Sequence, residues 1–286
     1  MSAVATMFQR GGRRRFYNGL FVVVCASATM IALAILAAIL VSLLRNGLGG
    51  FGFAVFTQDT PPPGASGGLR NAIVGSIGLC LAAMILAIAF GMLAGTWLAE
   101  YSRDNGYARV VRFVNDVLLS APSILIGLFV YVIAVRPLHG FSAFAGALAL
   151  ALIAAPIITR TTEDVLRLQS RTLREAGVGL GTPPWVIIRR ILWKAAAGGI
   201  TTGALLAFAR ISGETAPLLF TALNNQFFSL SLFKPIANIP VTIFNFALSP
   251  YADWQRLAWA GALLIAFAVL AINVLVRVVA TRQRQP

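Results

Sequence analysis

Two ionisable side chains interrupt one of the most apolar stretches of the chain. They are Arg210 and Glu214, in the segment ALLAFARISGETAPLLF that runs from Ala204 to Phe220. A guanidinium is a planar fork of N–H donors that matches the oxygens of phosphate and other oxyanions two at a time, and it stays charged at any working pH. A glutamate four residues on, one helical turn away, can compete for that fork. Three readings are open for the pair: a structural ion pair, an arginine that fixes a second subunit, or a cation that meets an anion in transit. In the third, Glu214 supplies the competition that lets the anion leave. It best explains why a membrane segment carries charge at all, because an uncompensated cation there costs about 2.5–3.5 kcal/mol on insertion scales. A buried pair, by contrast, is weak evidence for stability. Around the pair, Ser212, Gly213 and Thr215 are small enough for close helix approach. Pro217 lacks a backbone donor and frees the carbonyl near Gly213, the kind of helix break that transporters place at mid-membrane sites.

The elements that must position these residues are membrane helices. The chain of 286 residues is 58% hydrophobic and only 11% charged, with a mean hydropathy of +0.83, whereas soluble domains have about 25% charged residues. Charge-free runs cover residues 16–44, 71–99, 117–135, 137–159 and 257–276, and the run from Lys194 to Lys234 is interrupted only by Arg210 and Glu214. A bilayer core takes about 20 apolar residues of helix. We therefore expect an all-α integral membrane protein with six transmembrane helices, the fifth spanning Ala195 to Leu223 with Arg210 near the bilayer middle. Strands of a β-barrel would alternate over about ten residues, and these runs do not.

Lysines and arginines orient the helices. With the N-terminus inside, the inner segments hold Arg10, Arg13, Arg14 and Arg15, then Arg103, Arg109 and Arg112, then the cluster from Arg160 to Lys194, then Arg277, Arg282 and Arg284. Arg45, Arg70, Arg136, Lys234 and Arg256 fall outside, so both termini are expected in the cytoplasm of a cell-membrane protein. The net charge of +14 then reads as attraction to anionic membrane lipid, and nucleic acid is not an expected partner. The first apolar run is too long for a secretory signal and reads as a retained anchor. Cys25 and Cys80 sit in apolar runs as small buried hydrophobes, with no disulfide or metal spacing. Residues 46–70 and 224–253 read as external segments, the first rich in Gly and Pro and the second Phe-rich, lying at the interface or dipping partly into the membrane. His139 reads as a polar turn residue. Pro122 either kinks the third span or starts it, lining a pathway or only packing.

The largest inside segment is TEDVLRLQSRTLREAGVGLGTPPWVIIRRILWKA, from Thr162 to Ala195. Thr162 with Glu163 and Asp164 suits a helix start, and Val165, Leu168, Thr172 and Ala176 recur at helical spacing. Gly177, Gly179 and Gly181 break that helix, Pro183 and Pro184 reset the chain, and WVIIRRILW resumes it. GVGLGT is not a nucleotide fingerprint, because Thr182 takes the place of the third glycine and no βαβ unit surrounds it. A Walker lysine is absent as well, and no nucleophile–base pair, metal cluster or cofactor loop stands out, so we expect neither an enzyme nor a cofactor.

EAGVGLG at Glu175–Gly181 resembles the EAA loop of ABC-importer permeases. Glu175, Ala176 and Gly181 match in identity and spacing, while Gly177 replaces the second alanine and Trp193-Lys194 stands where Leu-Pro is usual. GETAPLLFTA (Gly213–Ala222), APSILIGLFVY (Ala121–Tyr131), NAIVGSIGL (Asn71–Leu79), WLAEY (Trp97–Tyr101) and DWQRLAWAGALLI (Asp253–Ile265) resemble permease subunits of phosphate-specific ABC importers. The similarity runs from Asn71 onward and divides the chain at that point. Residues 1–70 hold an N-terminal tail, a first helix and an external loop, and residues 71–286 hold the permease domain.

The resemblance implies a type I ABC importer permease fold with a cytoplasmic coupling-helix loop between helices four and five. It also implies inorganic phosphate as cargo, a second, PstC-like permease, an ATPase dimer that hydrolyses ATP on the permeases' behalf, and an external phosphate-binding protein. On the same ground Glu175, Ala176, Gly177 and Gly181 belong to the ATPase-coupling loop, and Arg210 with Ser212, Gly213, Glu214 and Thr215 to the substrate pathway. Two alternatives remain: an ABC permease for another oxyanion such as sulfate or molybdate, and a self-sufficient proton-coupled secondary transporter.

Overall fold

The long apolar runs become helices because a bilayer offers no partner for backbone N–H and C=O groups, so each span must satisfy its own. The structure, a computed structural model, describes residues 2–102 and 105–282, with side chains at 14–102, 105–275 and 278. Arg10, Arg13, Arg103, Arg277, Arg282 and Arg284, which the charge reading places inside, lie outside the described side chains. Among the described residues four helices are long and apolar enough to cross a membrane: α1 (Arg14–Gly50), α2 (Arg70–Tyr101), α5 (Ala143–Arg167) and α11 (Ala252–Arg282), whose apolar part is Ala252–Leu275. Two bent pairs raise the count to as many as six spans. The first joins α3 (Gly106–Ser120) to α4 (Ser123–Val135) at 108°, and the second joins α7 (Pro184–Ala195) to α8 (Ala197–Ile211) at 72°. Between these lie the short α6 (Arg171–Gly179), the single turn α9 (Ala216–Leu219) and α10 (Ile239–Ala247).

The pairing of α2 with α5 is the most extensive in the fold. Small residues set its closeness. A Cβ on Gly91 would lie 2.9 Å from Ile158 Cβ, and one on Gly95 would lie 2.7 Å from Thr162 Cβ. Helices in lipid associate through such van der Waals fit rather than hydrophobic drive. The core between them holds Ala83, Ala87, Leu150, Ala154 and Ile158. By contrast, α1 packs chiefly on α11, with Gly47 against Leu263 and Gly50 against the carbonyl of Arg256, and the rest of the chain leaves its apolar window uncovered.

Several expectations change. The third span is not one helix over 117–135. Pro122 ends one helix and starts another, since it lacks an N–H and its predecessor avoids the helical region; Ala121 sits at ψ 136°. The fourth helix runs through to Arg167, so Thr162 and Glu163 lie within it and are buried rather than at a helix start. Helix α1 continues to Gly50, past the expected start of the external loop. Cys25 is exposed on α1, and only Cys80 is buried. The segment after Asn224, expected at the interface or dipping partly into the membrane, includes α10, which packs on α2 and α11. Asn238 caps it by accepting from Val241 N at 3.0 Å, and Ser76 accepts from Ile239 N at 2.8 Å. His139 sits in the Arg136–Gly140 turn with φ 53°.

Candidate functional site

The fifth span ends at Ile211, not at Leu223. Pro217 can neither donate to the carbonyl of Gly213 nor tolerate it at helical distance, so Ser212–Thr215 form a non-helical link before α9. Its bonds are short-range: Ser212 N to Phe208 O at 3.0 Å, Ser212 Oγ to Ala209 O at 2.8 Å, and Glu214 N to Ile211 O at 3.3 Å. The link is pinned from outside as well. A Cβ on Gly127 of α4 would lie 2.6 Å from Pro217 Cα, so only glycine lets the two backbones touch there.

Arg210 and Glu214 are therefore not stacked on one continuous helix face, as the sequence spacing leads one to expect. They meet across the link, with Arg210 Nε 3.9 Å from Glu214 Oε1, beyond hydrogen-bond reach. The Arg210 side chain is 45% exposed and that of Glu214 18%. Depth follows from register. Gly199 abuts Val165 and Gly203 abuts Thr161, so α8 runs antiparallel to α5. Arg210, two turns beyond Gly203 or roughly 10 Å along the axis, stands level with Ala154, near the middle of α5.

The remaining pathway candidates divide between two sides. Ser212 faces inward, lining an apolar cavity of about 160 Å³ with Ser76, Cys80, Leu264 and Ala268. Gly213 is exposed, and a Cβ there would meet nothing within 4 Å, so packing within this chain does not require its glycine. Thr215 accepts from Leu218 N and Leu219 N and so starts α9. A groove of about 860 Å³ opens between α5 and α8, lined by Thr161, Asp164, Lys194, Thr202 and Leu206 among others. Leu206 is one turn before Arg210, so the groove leads from Lys194, at the end of α7, toward Arg210.

The second candidate set sits on the elbow formed by α6 and α7. Gly177 is buried there, where a Cβ would lie 2.8 Å from the Ile187 side chain, so glycine lets α6 lie on α7. Gly181 ends α6 at φ 69°, with its N–H donated to Val178 O at 2.9 Å, the left-handed stop that glycine adopts without strain. Glu175 and Ala176 are exposed. Val178, Leu180 and Trp185 are 62%, 83% and 61% exposed there, and Arg171, Glu175, Arg189 and Arg190 of the same elbow are exposed as well. Exposed apolar residues grouped among polar ones mark protein or membrane interaction sites.

Sequence reasoning missed a third feature, a buried ion-pair cluster at the C-terminal ends of α2 and α5. Glu163, with its side chain 4% exposed, accepts from Arg112 Nε at 2.8 Å and lies 3.0 Å from Arg167 Nη2. Glu100 takes Arg174 side-on, at 2.6 and 2.9 Å, and these hydrogen bonds push the Arg174 guanidinium further toward its charged form, against partial burial. The available signal was scarcity: the chain has nine acidic residues against 23 basic ones, and Glu100 and Glu163 stand where apolar runs end among arginines.

Residues 87–285 match the family model described as "Binding-protein-dependent transport system inner membrane component". The chain is 52% identical over 272 residues to the phosphate transport system permease protein PstA of Yersinia pestis, covering 95% of this chain and 92% of that one. Two solved structures share the fold at low identity. A methionine ABC transporter in inward-facing conformations matches with a TM-score of 0.57 at 18% identity, over 73% of this chain and 94% of that one. A bacterial ABC transporter involved in import of the acidic polysaccharide alginate matches with a TM-score of 0.60 at 13% identity, over 89% and 96%.

Proposed function

The chain belongs to the binding-protein-dependent transport system inner membrane component family, and from that membership we infer its work. It is a transmembrane permease subunit of an ATP-driven importer of inorganic phosphate, and it does not itself hydrolyse ATP. It forms one half of the translocation path beside a second, PstC-like permease. It receives phosphate from an external binding protein and docks on a cytoplasmic ATPase dimer through the α6–α7 elbow. Both termini lie on the cytoplasmic side, and residues 71–286 form the permease domain proper, to which α1 is appended through α11.

One observation carries the reading: a groove between α5 and α8 that leads from Lys194 to within a turn of Arg210, whose glutamate neighbour stands 3.9 Å away. A guanidinium in that state offers an oxyanion two parallel N–H donors. Glu214, close enough to compete, keeps the site from holding the anion permanently. The open space beside Gly213 leaves room for the anion or for the second permease at that level. At the other end, the exposed apolar tip and Glu175 supply a compact surface for the ATPase.

In the complete complex, Arg210→Ala is expected to reduce ATP-driven phosphate uptake roughly 10- to 100-fold, because a hydrogen bond to a charged group contributes about 1.5–3 kcal/mol. The complex should still assemble. Unchanged uptake would remove Arg210 from the pathway. Competition of labelled phosphate by excess sulfate or molybdate separates the phosphate permease from one for another oxyanion. Reconstitution of this chain alone, expected to give no uptake, separates it from a secondary transporter.

A further inference from the structure

Helix α6 is the part of the chain nearest any ATPase, yet it is poorly attached by apolar contact. Its one buried residue is Gly177, while Leu173, Val178 and Leu180 are exposed. Helix α7, in contrast, is seated in a core with Leu166, Ile187, Ile188, Leu192 and Ile200. What orients α6 against the membrane helices is therefore polar, and it is concentrated in Arg174. That side chain donates to both carboxylate oxygens of Glu100, at 2.6 and 2.9 Å, and to the carbonyls of Leu166 at 2.8 Å, Gln169 at 2.7 Å and Ser170 at 3.2 Å. One cation thus ties the end of α2 to the end of α5 and to the start of α6. It also satisfies carbonyls that the terminus of α5 leaves without helical partners.

The turn that carries Glu100, Trp97–Tyr101, is wound more widely than an α-helix, a local form that recurs at functional sites. It gathers contacts from every neighbouring element. Leu98 O accepts from Ser102 Oγ at 2.7 Å, with Arg112 of α3 and Arg167 of α5 each 3.5 Å away. Those two arginines also converge on the buried Glu163. Immediately before the turn, Thr96 Oγ1 accepts from Trp193 Nε1 of α7 at 3.1 Å. Both limbs of the elbow are thus fastened to one place, α6 through Arg174 and α7 through Trp193.

We propose that the Trp97–Tyr101 turn is the joint through which movement of the elbow reaches the transmembrane bundle, with Glu100 and Arg174 as its positioning pair. Arg174 precedes Glu175, so displacement of the docking surface pulls on Glu100 and hence on α2, and on the end of α5 that walls the groove. A side-on pair transmits orientation as well as position, which a single point contact would not. The proposal rests on the reading of α6–α7 as the ATPase dock.

The test uses the complete complex in proteoliposomes and measures phosphate moved per ATP hydrolysed. Glu100→Gln preserves the shape of the acceptor and removes its charge, while Arg174→Lys preserves the charge and removes the fork. Each variant is expected to assemble and to hydrolyse ATP within about twofold of the parent rate. Phosphate moved per ATP should fall at least about fivefold. An unchanged ratio in both variants overturns the proposal, as does a parallel loss of assembly, hydrolysis and uptake, which would make the pair only a fastening. Glu175→Arg serves as the separate control for the dock. If it leaves ATPase stimulation untouched, the docking assignment fails, whatever Glu100→Gln does to the ratio.

Discussion

Arg174 and Arg210 each stand beside a glutamate, and the two guanidiniums are held in opposite ways. Arg174 is taken up within the chain, by two carboxylate oxygens and three carbonyls. Arg210 has one carboxylate at 3.9 Å and nearly half of its side chain exposed. The first arrangement fixes three elements relative to one another, and the second leaves a cation with donors to offer. Arg210 stands level with the middle of α5 and Arg174 at its C-terminal end, yet depth does not set how each is held. The difference is how many donors the chain itself has engaged. An arginine saturated by its own fold orients structure, whereas an unsaturated one beside an open groove is suited to an anion that comes and goes.

The sharpest way to break this contrast is to remove a carboxylate from each region. Glu163 is buried between Arg112 and Arg167, and deleting one member of such a group costs about 3–5 kcal/mol because it strands buried charge. Glu163→Ala is therefore expected to lower the yield and the thermal aggregation temperature of the purified complex. Glu214→Ala removes a looser, partly exposed partner and should change stability by less than about 1 kcal/mol, while slowing uptake because the competitor for Arg210 is gone. Equal destabilisation by both substitutions would erase the distinction between the two regions.

A second comparison concerns two glycines on either side of Arg210, one within the fifth span and one in the link that follows it. A Cβ on Gly203 would clash with the Thr161 side chain, whose Cβ is 2.7 Å away where α8 lies against α5. Gly203→Ala should cost about 1–3 kcal/mol through overpacking. A Cβ on Gly213 meets nothing within 4 Å, so Gly213→Ala should stay within about 0.5 kcal/mol of the parent. If that open space belongs to the path, Gly213→Leu lowers uptake with the melting behaviour intact. Destabilisation by Gly213→Ala would show that the space is already filled.

How much of this was legible before the coordinates depended on the range of the forces involved. The apolar runs and the glycine stop at Gly181 are local: a bilayer demands length, and a left-handed residue demands glycine, so the spans and the elbow could be read directly. Pro122 and Pro217 announced breaks, but a proline does not say how far the chain turns, and two spans drawn as continuous helices proved bent or cut short. The ion-pair cluster was out of reach, because Glu163 finds Arg112 across 51 residues and Glu100 finds Arg174 across 74. Residue type restricts such partners to opposite charges, and only the α2–α5 packing chooses among them. Arg210 was legible as a charge out of place. Its loose hold was not, since spacing alone implied a helical pair with Glu214.

The weakest test of the contrast uses a third pair. Arg160 and Asp164 lie 3.2 Å apart, one turn apart on α5, with side chains 49% and 53% exposed. Exposed pairs at this spacing contribute about 0.3–0.5 kcal/mol, so Asp164→Asn should leave the stability of the complex almost unchanged. Asp164 also lines the groove that leads to Arg210, and there its charge opposes an anion. At the high dielectric of an open groove two charges 4 Å apart interact by about 1 kcal/mol, and salt screens them further. Asp164→Asn is therefore expected to raise phosphate uptake by no more than about twofold at low ionic strength, with the gain vanishing as salt is added. A gain that persists in high salt, or a loss of stability like that of Glu163→Ala, would mean that Asp164 belongs with the saturated pairs rather than with the groove.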